Sequence, residues 1–248
     1  MRRFKLILEY DGTSYHGWQV QPGLSTIQGI LQDRLAALVG SPVAVTGAGR
    51  TDAGVHALGQ VASFIADTRL NAVTVRRALN AHLPSDIVVR QAEEVPQGFD
   101  ACRSARARTY RYTLLRRDAP SAWLGRHTLH VPFPLDLEPM AQATKTLVGT
   151  HDFSTFRAGG CTAVTPVRAV REAAWYREDD LWHFTITANG FLHHMVRILV
   201  GTLLEVGRGK RSPADMEALL AARNRRLAGK TAPPHGLCLF HVQYDLGD

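Results

Sequence analysis

VAVTGAGRTDAGVHALGQVASFIA, residues 43–66, is the stretch on which the fold turns. Its two ends, VAVTG (43–47) and QVASFIA (60–66), read as strands rich in β-branched and apolar residues. Between them lies a glycine-rich segment, GAGRTDAGVHALGQ (47–60). Glycines after a strand raise the question of a dinucleotide or phosphate loop. The spacing excludes one: Asp52 stands where the third glycine of G-x-G-x-x-G belongs, and a strand follows instead of a helix. What remains is a carboxylate held on a tight loop, where glycines let another backbone come close.

Outward from this centre the element order completes itself. RRFKLILEYDG is a strand, with Phe4, Leu6 and Leu8 alternating against Lys5 and Glu9. A helix follows, with Ser25 and Gln28 as a capping box, an apolar stripe of Ile27, Ile30, Leu31, Leu35 and Leu38, and Gly40 as its stop. Past the central pair, NAVTVRRALNAHLP is a helix carrying Val75, Leu79 and Leu83 up to Pro84, and DIVVRQAEEV is a strand. The order β-α-β-β-α-β is that of the split ferredoxin-like unit common among RNA-binding domains.

The second half repeats that order with longer connections. RTYRYTLL is a strand, and LEPMAQATKTLV is a helix behind Asp136. PVRAVREAAWY and LWHFTIT form a hairpin across Arg177–Asp180. FLHHMVRILVGTLLEVG is a long helix, SPADMEALLAARN an additional one, and GLCLFHVQYD the last strand. The fold class expected is therefore α+β: two ferredoxin-like (RRM-like) halves with mainly antiparallel sheets joined side by side, and an active-site cleft between them. The boundary falls within 96–106, giving a catalytic-loop domain at 1–102 and a C-terminal domain at 103–248.

Charge narrows the class of partner. The chain carries a formal +7. Residues 101–130 hold seven arginines (103, 106, 108, 111, 116, 117 and 126) against Asp118 alone, so nearly the whole excess sits there. Such a concentration suits phosphate tracking, with Arg106, Arg108 and Arg111 as candidates for RNA backbone contact; the alternative is a solvated basic strand face. Three widely spaced cysteines, Cys102, Cys161 and Cys238, suit a reducing compartment better than a disulfide framework. The basic start MRRFKLILEYDG is cut short by Glu9 and Asp11, too early for a secretory h-region. The most apolar stretch is interrupted by His193, His194, Arg197 and Glu205, so no membrane span is expected. No C-x-x-C or H-x-x-x-H spacing occurs, and no metal or other cofactor is expected.

A lone aspartate in a glycine-rich loop is ordinarily a turn former. Arg50, two residues before Asp52, could pair with it and keep it ionised. Beyond this the residues carry a resemblance. GAGRTDAGVHALGQV resembles the signature of the TruA-type tRNA pseudouridine synthases. ARARTYRYTLL, FSTFRAGGCTAVTPVRAV, NGFLHHMVRILVGTLLEVG and TAPPHGLCLFHVQY are similar to further blocks of the same family, in the same order, along essentially the whole chain. Arg157, and His235 before Gly236, depart from the family pattern.

The resemblance implies a nucleophilic role for Asp52, support from Arg50, stacking of Tyr110 on the target base, and Arg197 as a second cation near the aspartate. Alternatively, Tyr110 is a core strand aromatic, as alternation makes Tyr112 on the same face. It also implies tRNA as partner, uridines on the 3′ side of the anticodon loop and adjoining stem as targets, a homodimer, and a cytoplasmic setting. Converting uridine to pseudouridine breaks N1–C1′ and joins C5 to C1′; nothing is imported, so the chemistry needs no cofactor. The carboxylate could attack C1′, attack the base, or remove a sugar proton. Two other classes compete. A non-catalytic RNA-binding protein of two such modules would show an RNP-type aromatic pattern, which is absent. A nucleoside hydrolase would want paired carboxylates, and Asp52 has no acidic companion in its loop.

Overall fold

The computed structural model describes residues 1–161 and 163–245. It is a mixed α+β chain, and two compact units divide it: residues 1–108 with 238–248, and residues 109–237. The last strand thus joins the first unit, where the sequence placed it at the end of a continuous 103–248 domain.

The first unit follows the expected order: β1 (Arg2–Tyr10), α1 (Ile27–Val39), β2 (Val45–Gly47), β3 (His56–Ala66), α2 (Ala72–His82) and β4 (Ile87–Glu94). β1 lies between β4 and β3, antiparallel to both, in a register that sets Phe4 opposite Phe64 and Tyr10 opposite Ala57. Phe4, Leu6 and Leu8 are buried, as their alternation demands. On the side of β3 away from β1, β2 pairs antiparallel at Ala62–Phe64, and β10 (Leu237–Tyr244) pairs parallel at His56 and Ala57. β3 begins four residues earlier than the sequence suggests. Gly59 reads as a loop residue, yet its missing side chain admits the β10 backbone; a Cβ there would stand 2.5 Å from the Phe240 carbonyl oxygen.

The helices of this unit are held by their ends and one face. α1 buries Ile27, Leu31 and Leu35, and Gly40 closes it with a left-handed φ of 76°. Its cap is Thr26 and not Ser25: the Thr26 hydroxyl accepts from the Gly29 amide at 3.3 Å. Gln28 forgoes the capping box and instead bridges the Val20 amide and the Val45 carbonyl. Asn71 caps α2, which buries Val75 and Leu79.

β5 (Ala105–Leu115) begins in the first unit and continues into the second from Thr109; it neighbours β9 (Leu181–Ala188), then β8 (Val167–Glu178) and β7 (Gly149–Asp152), with β6 (Leu129–His130) parallel to β5. The β8–β9 and β7–β8 pairs are antiparallel. The β8–β9 hairpin turns through Asp179 and Asp180, with Asp179 at φ 50°. α3 (Leu137–Lys145), capped by Asp136, packs against α4 (Met195–Gly207). A Cβ on Gly207 would meet the Met140 sulfur, so only glycine permits that approach. α4 starts four residues later than the sequence predicts, because His194 adopts φ 59° and cannot continue a right-handed helix. α5 (Asp215–Ala222) follows. β6 and β7 are too short to leave a periodic signal.

Candidate active site

The Asp52 loop leaves β2 at Gly47 and enters β3 at His56. Asp52 opens a turn in which the Val55 amide donates to its carbonyl at 3.1 Å, and Gly54 takes the left-handed φ of 76° that the turn requires. Its side chain is half-buried. Side chains of the neighbouring strands tie down parts of this loop. Thr51 is buried, and its hydroxyl lies 2.8 Å from that of Tyr10. Gln60, fully buried, donates to the Gly49 carbonyl at 2.8 Å and to the Tyr10 hydroxyl at 3.4 Å. Burial pushes the Tyr10 phenol well above its ordinary range, so its proton stays within this network.

A second loop, residues 11–18, braces the first, and no periodic pattern in the sequence marks it. The Trp18 amide donates to the Thr51 carbonyl at 3.0 Å, and the Gly54 amide donates to the Tyr15 carbonyl at 3.3 Å. Gly17, at φ 85°, sits so close that a Cβ would stand 2.6 Å from the Thr51 carbonyl oxygen. Gly12 lies closer still to Val55, where a Cβ would stand 2.0 Å from the carbonyl oxygen, and its amide donates to His56 Nδ1 at 3.0 Å. The Trp18 ring fills the space that Gly47 leaves open. The available signal was DGTSYHGW itself, an aperiodic run of glycines and aromatics between a strand and a helix. Asp52 is therefore presented by a doubly braced backbone, a preorganised carboxylate.

Arg50 is exposed, and among the described residues it makes no ion pair with Asp52. An exposed guanidinium gains little from such a pair, because water solvates both partners well.

The second unit arranges the other candidates. Tyr110 is 8% exposed and packs edge-on against Phe191 at 4.9 Å. Tyr112, two residues on, is fully buried. Its hydroxyl donates to the Pro233 carbonyl at 2.8 Å, and its ring lies against Gly236, where any Cβ would collide with it. Burial raises the Tyr112 phenol far above its usual range, and the nearby Arg197 guanidinium partly opposes this. Arg197 is half-buried on the first turn of α4; its Nε donates to the Ala232 carbonyl at 2.8 Å, and its own carbonyl accepts from the Ala232 amide at 3.0 Å. The strap 229–236 thus joins Arg197 and Tyr112, and lies so close to α4 that Gly201 has room for no side chain against the Lys230 carbonyl. This is the physical content of TAPPHG.

Of the three basic-strand candidates, only Arg106 is well exposed, with an ion pair to Asp245 at 2.7 Å. Arg108 donates to the carbonyls of Ala48, Cys102 and Ala105, so it clamps the start of the Asp52 loop. Arg111 lies over the Tyr176 ring, 5.6 Å from its centroid. The basic strand is thus partly a structural device.

Residues 6–103 and 143–245 match a family described as tRNA pseudouridine synthase. Asp52 and Arg197 fall within the matched segments, and Tyr110 falls between them. Among curated relatives, "tRNA pseudouridine synthase A" of Acetivibrio thermocellus is 46% identical over 98% of this chain and 100% of its own length. Proteins of the same description from Citrifermentans bemidjiense (47% identical, 98% of each chain) and an Exiguobacterium species (45%, all of each chain) are equally similar. The class is that of RNA-modifying isomerases acting on uridine. The chain belongs to the tRNA pseudouridine synthase family.

Proposed function

We propose that this chain isomerises uridine to pseudouridine in the anticodon stem-loop of tRNA, with Asp52 as the nucleophile. The observation that carries this is the Asp52 loop itself: a carboxylate on a backbone braced by Tyr10, Thr51, Gln60 and residues 11–18, in a chain that matches the family almost end to end. Preorganisation is what nucleophilic catalysis by a weak nucleophile needs, since the geometry is established before substrate arrives. Tyr110 holds the flipped base, and Arg50 and Arg197 supply positive charge for the redistribution as N1–C1′ breaks. Arg197 suits the role through its anchorage to Ala232, and Arg50 through its exposure.

The two halves, 1–102 and 103–248, are each read as ferredoxin-like. The order β1-α1-β2-β3-α2-β4 supports this in the first half; in the second, β5-α3-β8-β9-α4 keeps the order, while β10, which would close it in sequence, lies in the first compact unit. No described helix is long and apolar enough to cross a membrane. The reading takes the protein as a cytoplasmic homodimer acting on tRNA.

The test is release of tritium from tRNA labelled at uridine C5, with nucleoside analysis of the product. Release with pseudouridine formed is the expected result. Free uracil would point to a hydrolase instead, and binding without either product to a non-catalytic RNA-binding protein.

A further inference from the structure

Of the seven arginines in residues 101–130, five have partners. Arg103 pairs with Asp100, and Arg106 with Asp245. Arg108 holds main-chain carbonyls, and Arg111 lies over Tyr176. Arg117 donates to the carbonyls of Ala119 and Pro120 and stands 3.8 Å from Asp180. Arg116 and Arg126 remain. Among the described residues, neither guanidinium has a hydrogen bond or ion pair. Both bracket one turn, and that turn carries Trp123, which is 88% exposed.

A single exposed apolar residue is ordinary and carries nothing alone. Here it sits on an ordered turn. The Leu124 amide donates to the Ser121 hydroxyl at 3.0 Å, the His127 amide to the Leu124 carbonyl at 2.9 Å, and the Thr128 hydroxyl to that same carbonyl at 2.9 Å. Arg117 clasps the other limb of the turn. The indole is thus held out in water by a built scaffold, on a turn bracketed in sequence by two arginines whose guanidinium groups have no hydrogen bond or ion pair among the described residues.

We propose that the Arg116–Arg126 turn is a contact for substrate tRNA, resting on the reading above: the Trp123 ring stacks on an unpaired base, and Arg116 and Arg126 take adjacent phosphates. Every base offers a face to an indole, and guanidinium groups beside it add phosphate contacts, the combination by which proteins grip unpaired RNA. A second copy of this chain fits less well. In a two-fold contact the same patch meets itself, and the arginines would face like charges.

The experiment uses Trp123→Ala, Trp123→Phe and the double variant Arg116→Gln/Arg126→Gln. tRNA affinity is measured over a range of salt, alongside KM, kcat and sedimentation. Trp123→Ala should weaken tRNA binding about tenfold and raise KM by a similar factor, with kcat falling less; Trp123→Phe should recover most of the loss. The double variant should flatten the slope of log K against log salt by about 1.4 to 1.8. Thermal unfolding should be unchanged throughout, because the side chains are outside the core. Wild-type affinity in Trp123→Ala would overturn the proposal. So would a loss of affinity that accompanies a shift to a smaller sedimenting species, which would make the occupant a second copy. Absence of tritium release by the wild type would refute the isomerase reading, whereas release together with an indifferent Trp123→Ala would refute this contact alone.

Discussion

Asp52 owes its position to its neighbours, and the nucleophilic role proposed for it rests on its own charge. Asp52→Asn preserves the Val55-to-Asp52 turn, which is made by backbone, and the Thr51–Tyr10 contact beneath it. Turnover should therefore fall below detection while the unfolding temperature and tRNA affinity persist, since affinity comes mainly from phosphate contacts elsewhere. Measurable tritium release by the folded variant would remove Asp52 from the mechanism. Tyr110 needs a subtler test. Because it is nearly buried against Phe191, Tyr110→Ala opens a cavity costing about 3–5 kcal/mol and confounds binding with folding. Tyr110→Phe keeps both core and stacking face. If the hydroxyl assists removal of the C5 proton, kcat should fall with unchanged tRNA affinity; an unchanged kcat would confine Tyr110 to stacking or packing.

At the scale of elements, β5 divides its arginines between two tasks. Arg108 points its guanidinium at carbonyls of the Asp52 loop and of residues 102–105, whereas Arg106 lies at the surface. Arg108→Gln should therefore lower stability by about 1–3 kcal/mol by leaving part-buried carbonyls unpaired. It should reduce kcat by loosening the loop, and leave the salt slope of tRNA binding intact. Arg106→Gln should do the reverse, flattening that slope by about 0.7 to 0.9 without lowering the unfolding temperature. Denaturant unfolding and salt-dependent binding on both variants separate the two outcomes; equal slopes for wild type and Arg106→Gln would place Arg106 off the RNA path.

For the folded unit as a whole, His183 introduces a dependence on pH. It is buried on β9, with Nδ1 3.1 Å from the Thr113 hydroxyl and Tyr176 stacked on its ring. Burial first, and then the Arg111 guanidinium, hold its imidazole below the ordinary 6.5. The unfolded chain then binds the proton more readily than the native one, so stability rises with pH across that range. The contribution is present above about pH 6.5 and is lost as pH falls toward the lowered native value. His183→Gln should flatten the fall in unfolding free energy between about pH 7.5 and pH 5, the range that brackets imidazole titration. An equally steep fall in the variant would assign the acid sensitivity to other groups.

The β-α-β-β-α-β order of the first half, the caps at Gly40 and Asp136, the β8–β9 hairpin and the tight glycine-rich loop that carries Asp52 were legible in the sequence, because each depends on local periodicity or backbone stereochemistry. Family membership was legible too, through blocks of sequence whose spacing persists along the chain. Other features depend on contacts between residues far apart in sequence, which periodicity does not encode. The bracing of Asp52 by Gly12, Gly17 and Trp18, and the capture of Arg108 by Ala48, are decided by how close two backbones come. So is the strap that joins Arg197 to Tyr112. The last strand reads as the end of the second half, yet it packs with the first unit because the free edge of β3 at His56 and Ala57 offers its unpaired amides and carbonyls there. Local chemistry set the elements; the pairing of distant polar groups and the room left by glycines decided what those elements hold in place.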